Sequence, residues 1–423
     1  QGTVAANVLG FVDSAGVGKG GVELALDQAL RGTDGVEVYE ISPNGRIPTG
    51  GAELVSARNG ESYQLTLDLG LQLQAEQILA ERVSTTRAKS GTAVVMNVNT
   101  GEVLALANYP TFDPNNVGAA DQDNVGNRAI TDPFTPGSVQ KVLTFAALID
   151  AGVVRPDDVI TLPPSVKYTG TNKTITDAWA HGTVKVYARG IVVKSSNVGT
   201  VLLSRKMDKY ALIDYYKSFG LGSKTGIGLP GESAGILPTE NVEDYSRDGM
   251  VFGGSAIAVT TIQEAAAIAA IANGGVYNPP QLLKSVIDSD GVAKELPKQA
   301  SHRVVSAQAA KEVVSMMEAM QAHTVSDVFD IDGYRTGTKT GTAKKFDNDC
   351  NCYKGYVTST VGVAPAEKPQ LLTYVVVDDP KAGSSGQAVA GPVYRDIMAI
   401  ALHRYGVKPS AKKSPKLPIF PPN

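Results

Sequence analysis

The sequence predicts an α+β fold in which one antiparallel sheet of about five strands carries helices on its faces beside a mostly helical lobe. Strand patterns occur near residues 92–106 and return only in the last third of the chain, between residues 335 and 377. The chain between these groups is mostly helical in pattern, and a helical pattern follows the last strand. Strands so far apart form one sheet only if the helices between them pack against it. With 423 residues, the chain is long enough for two or three domains.

The strands are predicted from short apolar runs that end at turn residues. Thr92–Val98 and Glu102–Leu106 are joined by Asn99-Thr100-Gly101, which is typical of a hairpin. The last third of the chain supplies three more candidate strands, at residues 335–344, 356–363 and 371–377. Together these segments account for the predicted sheet.

The helices are predicted from apolar spacing and from capping residues. Asp68 has the position of an N-cap for a helix that runs to about Lys89. Pro136-Gly137 precedes a second helix, which contains Ser138 in its first turn. Residues 393–405 supply the closing helix.

The two ends of the chain differ from the middle in composition. Residues 1–62 are rich in Gly, Pro and Asn, with a strand-like run at 8–12, a helical pattern at 22–30 and a polar stretch at 42–60. Residues 408–423 are rich in Pro and Lys and are predicted to be disordered, because such a segment cannot bury a core. We therefore predict three parts, at residues 1–62, 63–407 and 408–423.

The composition excludes several classes of function. The net charge is −3, from 39 basic and 42 acidic residues, so no nucleic-acid partner is predicted. No apolar run approaches the ~18 residues of a membrane helix. The four histidines are scattered without metal-ligand spacing, and neither a metal nor another cofactor is predicted. Cys350 and Cys352 form a Cys-x-Cys loop that suits either two thiols or one local disulfide.

Ser138 and Lys141 are the first candidate catalytic pair. Their i, i+3 spacing places both side chains on one face of a helical turn. A serine hydroxyl is a poor nucleophile unless a neighbour accepts its proton, and a neutral lysine amine can do so. The ordinary lysine pKa of about 10.4 would have to fall by about 3, which corresponds to roughly 4 kcal/mol. Burial and a second ammonium, for which Lys339 is the candidate, both act in that direction.

Ser195-Ser196-Asn197 is the second candidate motif. The hydroxyl of Ser195 and the amide of Asn197 can relay a proton and hold a substrate carbonyl. The same residues are also typical of a loop between two helices with capping side chains. By itself this motif does not decide the function.

The third motif, Lys339-Thr340-Gly341-Thr342, lies on a predicted strand. Alternation along the strand puts Thr340 and Thr342 on one face, where they can bind a substrate carboxylate, and turns Lys339 towards the nucleophile helix. Gly341 is predicted to leave room for a substrate backbone. These three motifs contain the parts of a serine acyl-transfer site that works without histidine.

Three similar patterns do not suit an active site. A second Lys-Thr-Gly, at residues 224–226, lies in a loop without strand partners, and a second Ser-x-x-Lys, at residues 410–413, lies in the Pro/Lys-rich tail. Residues 16–21 fit the glycine pattern of a dinucleotide-binding loop, but no alternating strands and helices continue it. We interpret those glycines as a structural turn.

From about residue 63 to residue 405, the chain resembles the class B penicillin-binding proteins. The segments that carry the resemblance are Asn127-Arg128-Ala129, Pro136-Gly137-Ser138, Lys194-Ser195-Ser196-Asn197-Val198-Gly199, Thr225-Gly226-Ile227-Gly228-Leu229-Pro230-Gly231-Glu232, Ile271-Ala272-Asn273-Gly274 and Gly362-Val363-Ala364-Pro365. Thr135 and Val139-Gln140 are similar to actinobacterial, division-type members. Residues 1–62 resemble the end of the N-terminal pedestal of that family.

The resemblance implies a β-lactamase/transpeptidase-like fold and a role for each motif. Ser138 would be the acylated nucleophile and Lys141 its base, with Ser195, Asn197 and Lys339 as further catalytic residues. Thr340, Gly341 and Thr342 would bind the substrate. The backbone amides of Ser138 and Thr342 would form the oxyanion hole.

The implied activity is that of a serine D,D-transpeptidase that crosslinks peptidoglycan stem peptides through an acyl-enzyme. The donor would end in D-Ala-D-Ala, and β-lactams would trap the enzyme at Ser138. Implied partners are stem peptides or lipid-linked precursors and division proteins that include a glycosyltransferase. The implied location is the extracytoplasmic face of the bacterial membrane, reached through an upstream N-terminal anchor, with this part of the protein soluble.

Two other functions stay open from the sequence. A D,D-carboxypeptidase would use water as the acceptor, and a catalytically inactive penicillin sensor or division scaffold would keep only the fold. A β-lactamase is disfavoured, because no Glu-x-x-Leu-Asn lies between Asn197 and Lys339 to activate a water.

Overall fold

The computed structural model describes residues 2–169, 171–254, 256–287, 291–347 and 350–422, and all structural statements concern those residues. The α-helices are α1 (Ala6–Leu9), α2 (Gly21–Ala25), α3 (Asp27–Arg31), α4 (Leu69–Thr85), α5 (Arg128–Thr131), α6 (Lys141–Asp150), α7 (Ala188–Val193), α8 (Asn197–Ser204), α9 (Lys209–Ser218), α10 (Asp244–Met250), α11 (Thr261–Ala272), α12 (Ala307–Ala322) and α13 (Gly386–Arg404). Short 3₁₀ turns lie at Val117–Ala119, Gln122–Asn124, Gly137–Gln140 and Asp327–Phe329. The strands are β1 (Val36–Ser42), β2 (Gly45–Val55), β3 (Ser62–Leu65), β4 (Ser90–Asn97), β5 (Val103–Tyr109), β6 (Val159–Leu162), β7 (Ser165–Lys167), β8 (Thr174–Thr176), β9 (Val184–Tyr187), β10 (Val276–Tyr277), β11 (Leu283–Ile287), β12 (Ala293–Glu295), β13 (His302–Arg303), β14 (Gly337–Asp347), β15 (Cys352–Ala364) and β16 (Leu371–Asp378).

The central sheet has five antiparallel strands in the order β14-β15-β16-β4-β5, which confirms the predicted sheet. Residues far apart in sequence become neighbours across it. Lys339 pairs with Val361, Val361 pairs with Tyr374, and Tyr374 pairs with Val94. β14 lies at one edge of the sheet, so one side of its backbone is free to pair with an extended peptide.

Alternate side chains of the sheet pack into two separate hydrophobic clusters. Along β4, Val94 and Met96 belong to the larger cluster, which includes residues of α6 and α11 and continues into the helical lobe of α7, α8 and α9. Ala93 and Val95 belong to the other cluster, which is formed with α4 and α13. The sheet is therefore a layer between two sets of helices, as the sequence predicts. Among the described helices, none is both long enough and apolar enough to cross a membrane.

The turn that carries Ser138 lies directly against β14. The helix predicted from Ser138 begins instead with the 3₁₀ turn Gly137–Gln140, and α6 starts at Lys141. Gly137 has a φ of 62°, and a Cβ atom at this position would lie 3.0 Å from the amide nitrogen of Thr342. Glycine is required here because the backbone is left-handed and the neighbouring strand is so close. Residues 141–148 of α6 are all buried, which fixes the turn on the rest of the domain.

The first part of the chain differs from its predicted elements. Residues 8–12 are predicted as a strand, but the structure has the short helix α1 at Ala6–Leu9. Tertiary contacts decide this, since Nδ2 of Asn7 donates hydrogen bonds of 2.7 Å to the carbonyl oxygens of Asn124 and Gly126. A local pattern could not reveal a partner more than a hundred residues away.

Two more N-terminal predictions need correction. The helix predicted over residues 22–30 is divided into α2 and α3, which meet at Leu26. The polar stretch at residues 42–60 contains all of β2, which pairs with β1 as an antiparallel hairpin. Val36, Val38 and Ile41 favour an extended backbone in β1, and β2 follows from pairing with that strand.

The C-terminal segment from residue 408 is not disordered, contrary to the sequence prediction. The amide of Ser410 donates to the carbonyl of Gly333 at 2.8 Å, and the amide of Tyr187 donates to the carbonyl of Ile419 at 3.0 Å. The side chain of Ile419 is only 8% exposed. The composition misleads because the segment is held by its backbone and by one apolar side chain, not by a core of its own.

Cys350 and Cys352 form a disulfide at the start of β15, with the two sulfur atoms 2.08 Å apart. The sequence left open whether this loop contains two thiols or one local bridge. The structure has the bridge. Residues 348 and 349 lie outside the described residues.

Candidate active site

The three sequence motifs line one cleft of about 630 Å³. Ser138 lies in the turn before α6, Ser195 and Asn197 lie where α7 is followed by α8, and Thr340 and Thr342 lie on β14. Lys141 and Lys339 lie beneath the surface of this cleft and are fully buried. The structure therefore brings together the residues that the sequence assigns to the site.

Lys141 has hydrogen-bond partners that suit a neutral amine. Its Nζ lies 3.0 Å from Ser138 Oγ, 2.8 Å from Asn197 Oδ1 and 2.5 Å from the carbonyl oxygen of Ser195. The two carbonyl-type oxygens can only accept, so the lysine must donate to both. A neutral amine has two N–H groups and one lone pair, and the lone pair is then left for the hydroxyl of Ser138. This arrangement can take the proton of the nucleophile.

The electrostatics of both lysines favour the neutral form. Burial lowers the pKa of Lys141 well below its usual range; the charge of Lys339 lowers it further, while Asp177 acts in the opposite direction. Burial also lowers the pKa of Lys339 to about 7. Near neutral pH, the pocket can therefore hold one charged and one uncharged lysine. The uncharged lysine can act as a base while the other remains an ammonium.

Ser195 connects the two lysines. Lys339 Nζ donates to Ser195 Oγ at 3.0 Å and to the carbonyl of Thr340 at 2.9 Å, and Lys141 Nζ lies 3.3 Å from the same Oγ. Ser195 has a φ of 54°, in the left-handed region that costs a residue with a Cβ atom energy. This backbone turns both its carbonyl and its hydroxyl towards Lys141.

Thr340 and Thr342 border the cleft on β14, and Thr342 has a partner that the sequence did not indicate. The amide of Gly386, the first residue of α13, donates to Thr342 Oγ1 at 3.1 Å. With one lone pair of this oxygen used, its O–H is free to donate to a bound carboxylate. The start of α13 thus orients a hydroxyl that borders the cleft.

The prediction for Gly341 needs correction. A Cβ atom at this residue would lie 2.4 Å from Ser359 Oγ, 2.7 Å from the carbonyl oxygen of Pro136 and 3.1 Å from Val139. The space that this glycine leaves is therefore filled by the nucleophile turn and by β15, not by a substrate backbone. Gly341 allows β14 to approach Ser138 closely.

A family model for the penicillin binding protein transpeptidase domain matches residues 91–399, which is more than half of the chain. The chain belongs to the penicillin-binding protein transpeptidase family. The matched range contains Ser138, Lys141, Ser195, Asn197 and Lys339. The family suggested by the sequence is confirmed.

Named relatives cover nearly all of this family member. PbpB of Mycolicibacterium smegmatis is 34% identical in an alignment that covers 99% of this chain and 66% of that protein. PbpB of Mycobacterium tuberculosis is 36% identical over 98% of this chain and 63% of its own length. The peptidoglycan D,D-transpeptidase FtsI of Escherichia coli K12 is 35% identical over 97% of this chain and 68% of that protein. The chain thus spans slightly less than two thirds of the two PbpB proteins.

A solved structure supports the same fold for this penicillin-binding protein. The crystal structure of penicillin-binding protein 3 from Mycobacterium tuberculosis complexed with ampicillin superimposes with a TM-score of 0.89 and 34% identity. The match covers 100% of this chain and 92% of that chain. The β-lactamase/transpeptidase-like fold is therefore confirmed.

Asp177 is another residue near the site that sequence reasoning missed. Its Oδ1 accepts from the amide of Val198 at 3.0 Å, and its Oδ2 accepts from Ser196 Oγ at 2.6 Å and lies 3.0 Å from His181 Nε2. Asp177 therefore holds the loop that carries Ser195 and Asn197. It lies nineteen residues before Ser196, in a stretch without a recognisable motif, so the sequence carries no signal for it.

Proposed function

We propose that this protein is a serine D,D-transpeptidase that crosslinks peptidoglycan stem peptides through an acyl-enzyme. The observation that carries the proposal is the position of Lys141, whose two N–H groups bind the carbonyl of Ser195 and the amide oxygen of Asn197. Nζ also lies 3.0 Å from Ser138 Oγ, so a neutral Lys141 that donates to the other two oxygens has its lone pair left for the Ser138 hydroxyl. A catalytically inactive scaffold would not need two fully buried lysines at this point, because burying them is costly.

The acylation step begins with Ser138. As its hydroxyl proton moves to Lys141, Oγ forms a bond to the carbonyl carbon of the penultimate D-Ala. We assign the developing oxyanion to the backbone amides of Ser138 and Thr342, which belong to elements in direct contact. The bond to the terminal D-Ala nitrogen then breaks, and that nitrogen takes the proton from Lys141, directly or through Ser195 Oγ.

The carboxylate of the terminal D-Ala is assigned to Thr340, Thr342 and Lys339. The two threonines border the cleft, and the amide of Gly386 leaves the O–H of Thr342 free to donate. Lys339 Nζ donates a hydrogen bond to Ser195 Oγ, which lines the cleft. The ammonium form of Lys339 therefore adds positive charge to this end of the cleft. A substrate with a free carboxyl end is therefore favoured.

The acyl-enzyme is resolved when the amine of a second stem peptide attacks the ester carbonyl. Ser138 Oγ leaves and recovers a proton through Lys141, which has accepted one from the amine. A β-lactam would follow the first step but keep its leaving group attached, so no acceptor could enter. Structures of the mycobacterial relative complexed with ampicillin and with aztreonam support this part of the proposal.

We further propose that the enzyme acts in septal cell-wall synthesis at the extracytoplasmic face of the membrane. Support comes from the similarity to PbpB and FtsI and from the resemblance of Thr135 and Val139-Gln140 to division-type members. A glycosyltransferase and other division proteins are the expected partners. The upstream membrane anchor that the resemblance implies stays a prediction.

The experiment is covalent labelling with a fluorescent penicillin, followed by measurement of D-Ala release. We expect a stable labelled band for the wild type and none for Ser138→Ala, with Ser410→Ala as the matched control because Ser410 belongs to the second Ser-x-x-Lys pattern. Equal labelling of Ser138→Ala, or no labelling of the wild type, would contradict the mechanism. D-Ala release that rises with added amine acceptor supports a transpeptidase, whereas release independent of the amine supports a carboxypeptidase.

A further inference from the structure

Asp177 and His181 form a buried pair beside the loop that carries Ser195 and Asn197. Asp177 Oδ2 lies 3.0 Å from His181 Nε2, and the two side chains are 1% and 5% exposed. Both residues lie between β8 and β9. A buried ionisable pair is costly unless its hydrogen bonds are made, and its charge acts strongly on neighbouring groups. The charge state of this pair therefore matters for the catalytic lysines.

Both ring nitrogens of His181 face oxygen atoms. Nδ1 lies 2.7 Å from the carbonyl oxygen of Gly182, which can only accept, so Nδ1 carries a proton. Nε2 faces Asp177 Oδ2, and a second proton must lie between these two atoms, because two lone pairs would repel each other. If that proton is on Nε2, the ring is an imidazolium.

The surroundings of Asp177 favour a carboxylate, which places the second proton on His181. Asp177 Oδ1 accepts from the amide of Val198 at 3.0 Å, at the start of α8, and Oδ2 accepts from Ser196 Oγ at 2.6 Å. Hydrogen-bond donors and the N-terminus of a helix both stabilise a negative charge. The pair is thus a carboxylate with an imidazolium, and its two charges cancel.

The ring of His181 also stacks on Trp179, with ring centroids 4.1 Å apart and an interplanar angle of 27°. The face of an indole ring attracts a cation, which again favours the imidazolium. Lys194 Nζ lies 5.4 Å from the centroid of the same indole ring and is a second cation near the pair. The charge of Lys194 acts against the imidazolium, but Asp177 outweighs it because it is in direct contact with His181.

The charge of Asp177 would be unfavourable for catalysis if nothing balanced it. Burial and the charge of Lys339 lower the pKa of Lys141, whereas the charge of Asp177 raises it. Lys141 must be neutral to take the proton of Ser138. The loop after α7 nevertheless depends on the hydrogen bonds of Asp177. A cation in contact with Asp177 keeps those hydrogen bonds and cancels the charge.

We propose that His181 is a positioning residue that is held as an imidazolium and balances the charge of Asp177. Asp177 then anchors the loop after α7 without favouring the ammonium form of Lys141. The proposal rests on the proposed function, since it concerns Lys141 as the base for Ser138.

The first test measures the protonation of the ring directly, by ¹H–¹⁵N NMR spectroscopy of protein with ¹⁵N-labelled histidine. The chain has four histidines, and comparison with His181→Gln identifies the signals of His181. At pH 7 we expect both of its ring nitrogens in the chemical-shift range of an imidazolium, whereas a histidine with the ordinary pKa of about 6.5 is mostly neutral at that pH. A nitrogen without a proton on His181 at pH 7 would overturn the proposal.

The second test measures the rate constant for penicillin acylation across pH in His181→Gln, Asp177→Asn and the double variant. His181→Gln keeps a donor for Asp177 but leaves its charge unbalanced, so the acidic limb should move to higher pH by about 0.5 to 1. Asp177→Asn leaves the imidazolium unbalanced and should move the limb in the opposite direction. The double variant carries neither charge, and its limb should return close to the wild-type position.

His403→Gln is the matched control, because His403 lies exposed near the end of α13, and its acidic limb should not move. The position of a limb on the pH axis does not depend on the fraction of active protein, so partial unfolding of a variant does not imitate the effect.

Each outcome decides the proposal. An acidic limb at the wild-type position in His181→Gln would overturn the charge balance. A double variant displaced as far as His181→Gln would also overturn it, since the effect of His181 would then be independent of Asp177. If fluorescent penicillin labels none of the proteins, the proposed function fails, and the NMR spectra still decide whether His181 is an imidazolium.

Discussion

Ser196 donates its hydroxyl hydrogen to Oδ2 of Asp177 at 2.6 Å. The same hydroxyl oxygen accepts from the amide of Gly199 at 2.9 Å, so it caps α8. The middle residue of Ser-Ser-Asn therefore holds the loop, while Ser195 and Asn197 contact Lys141. Asp177 and His181 are both buried here, with side chains 1% and 5% exposed.

Replacing Asp177 tests this positioning role. Asp177→Asn cannot accept hydrogen bonds at both of its terminal atoms, and it removes the negative charge that raises the pKa of Lys141. We expect penicillin acylation to slow by about 10- to 100-fold. The acidic limb of its pH profile should also move to lower pH, because Lys141 then stays neutral at lower pH. The measurement is the acylation rate constant across pH.

Ser196→Ala is the matched variant for that experiment. It removes the same hydrogen bond but keeps the carboxylate, so it should slow acylation without moving the acidic limb. A purely structural role for Asp177 would leave the pH profile of both variants at the wild-type position. That result would contradict the electrostatic part of the prediction.

Because of Lys339, the free energy of unfolding should depend on pH in the alkaline range. Burial lowers its pKa to about 7, so between that pH and the ordinary lysine value the unfolded chain binds a proton that the folded protein does not. The free energy of unfolding should therefore rise as the pH is raised through this range. Below pH 7, the buried charge of Lys339 lowers the free energy of unfolding by its full amount, which is at most about 5 kcal/mol.

The measurement is the thermal midpoint of wild type and Lys339→Met from pH 6 to 10, with Lys311→Met as control. Lys339→Met has no proton to lose at this position, so the wild type should gain stability relative to it as the pH rises. A constant difference between the two proteins would show that Lys339 keeps an ordinary pKa in the folded state.

Gly341→Ala should separate β14 from the turn that carries Ser138. Its Cβ atom would lie 2.4 Å from Ser359 Oγ and 2.7 Å from the carbonyl oxygen of Pro136, and the backbone carbonyl cannot move aside easily. We expect a loss of about 1–3 kcal/mol in stability together with slower acylation, measured by thermal unfolding and penicillin labelling. Gly118→Ala is the control, because a Cβ atom there meets nothing within 4 Å.

Adding Ser359→Ala to Gly341→Ala should restore part of the lost stability, since it removes the closest clash and leaves that with Pro136. No recovery in the double variant would place the strain elsewhere. A Gly341→Ala protein as stable and as reactive as the wild type would contradict the assignment of this glycine to close packing.

The C-terminal segment should contribute measurably to stability. Ile419→Ala removes a side chain that is 8% exposed and is expected to cost about 1–3 kcal/mol. Deleting residues 415–423 should cost at least as much, because it also removes the hydrogen bonds to Tyr187 and His323. Thermal unfolding checks both, with exposed Lys413→Ala as a control expected to change stability by less than about 0.5 kcal/mol. An unchanged midpoint for the deletion would support the disorder that the composition predicts.

Much of the sheet could be predicted from the sequence because strand periodicity is local. The runs near Thr92 and Leu371 alternate or are continuously apolar, and they became β4 and β16 within two residues of the predicted ends. The N-terminal elements could not be predicted in this way. Asn7 and Ile419 are held by partners more than a hundred residues away, and no local pattern encodes such contacts.

By itself, the sequence determined the motif residues, their order along the chain and the family, because spacing such as Ser138-x-x-Lys141 is a property of a single turn. Only the tertiary structure decided how those residues act. It buried both lysines and placed Lys141 Nζ 3.0 Å from Ser138 Oγ. It also placed Asp177 within hydrogen-bonding distance of Ser196, and it packed Gly341 closely against Pro136 and Ser359. These results depend on which distant segments the sheet and the helical lobe bring into contact, and burial and hydrogen bonding arise only from that contact.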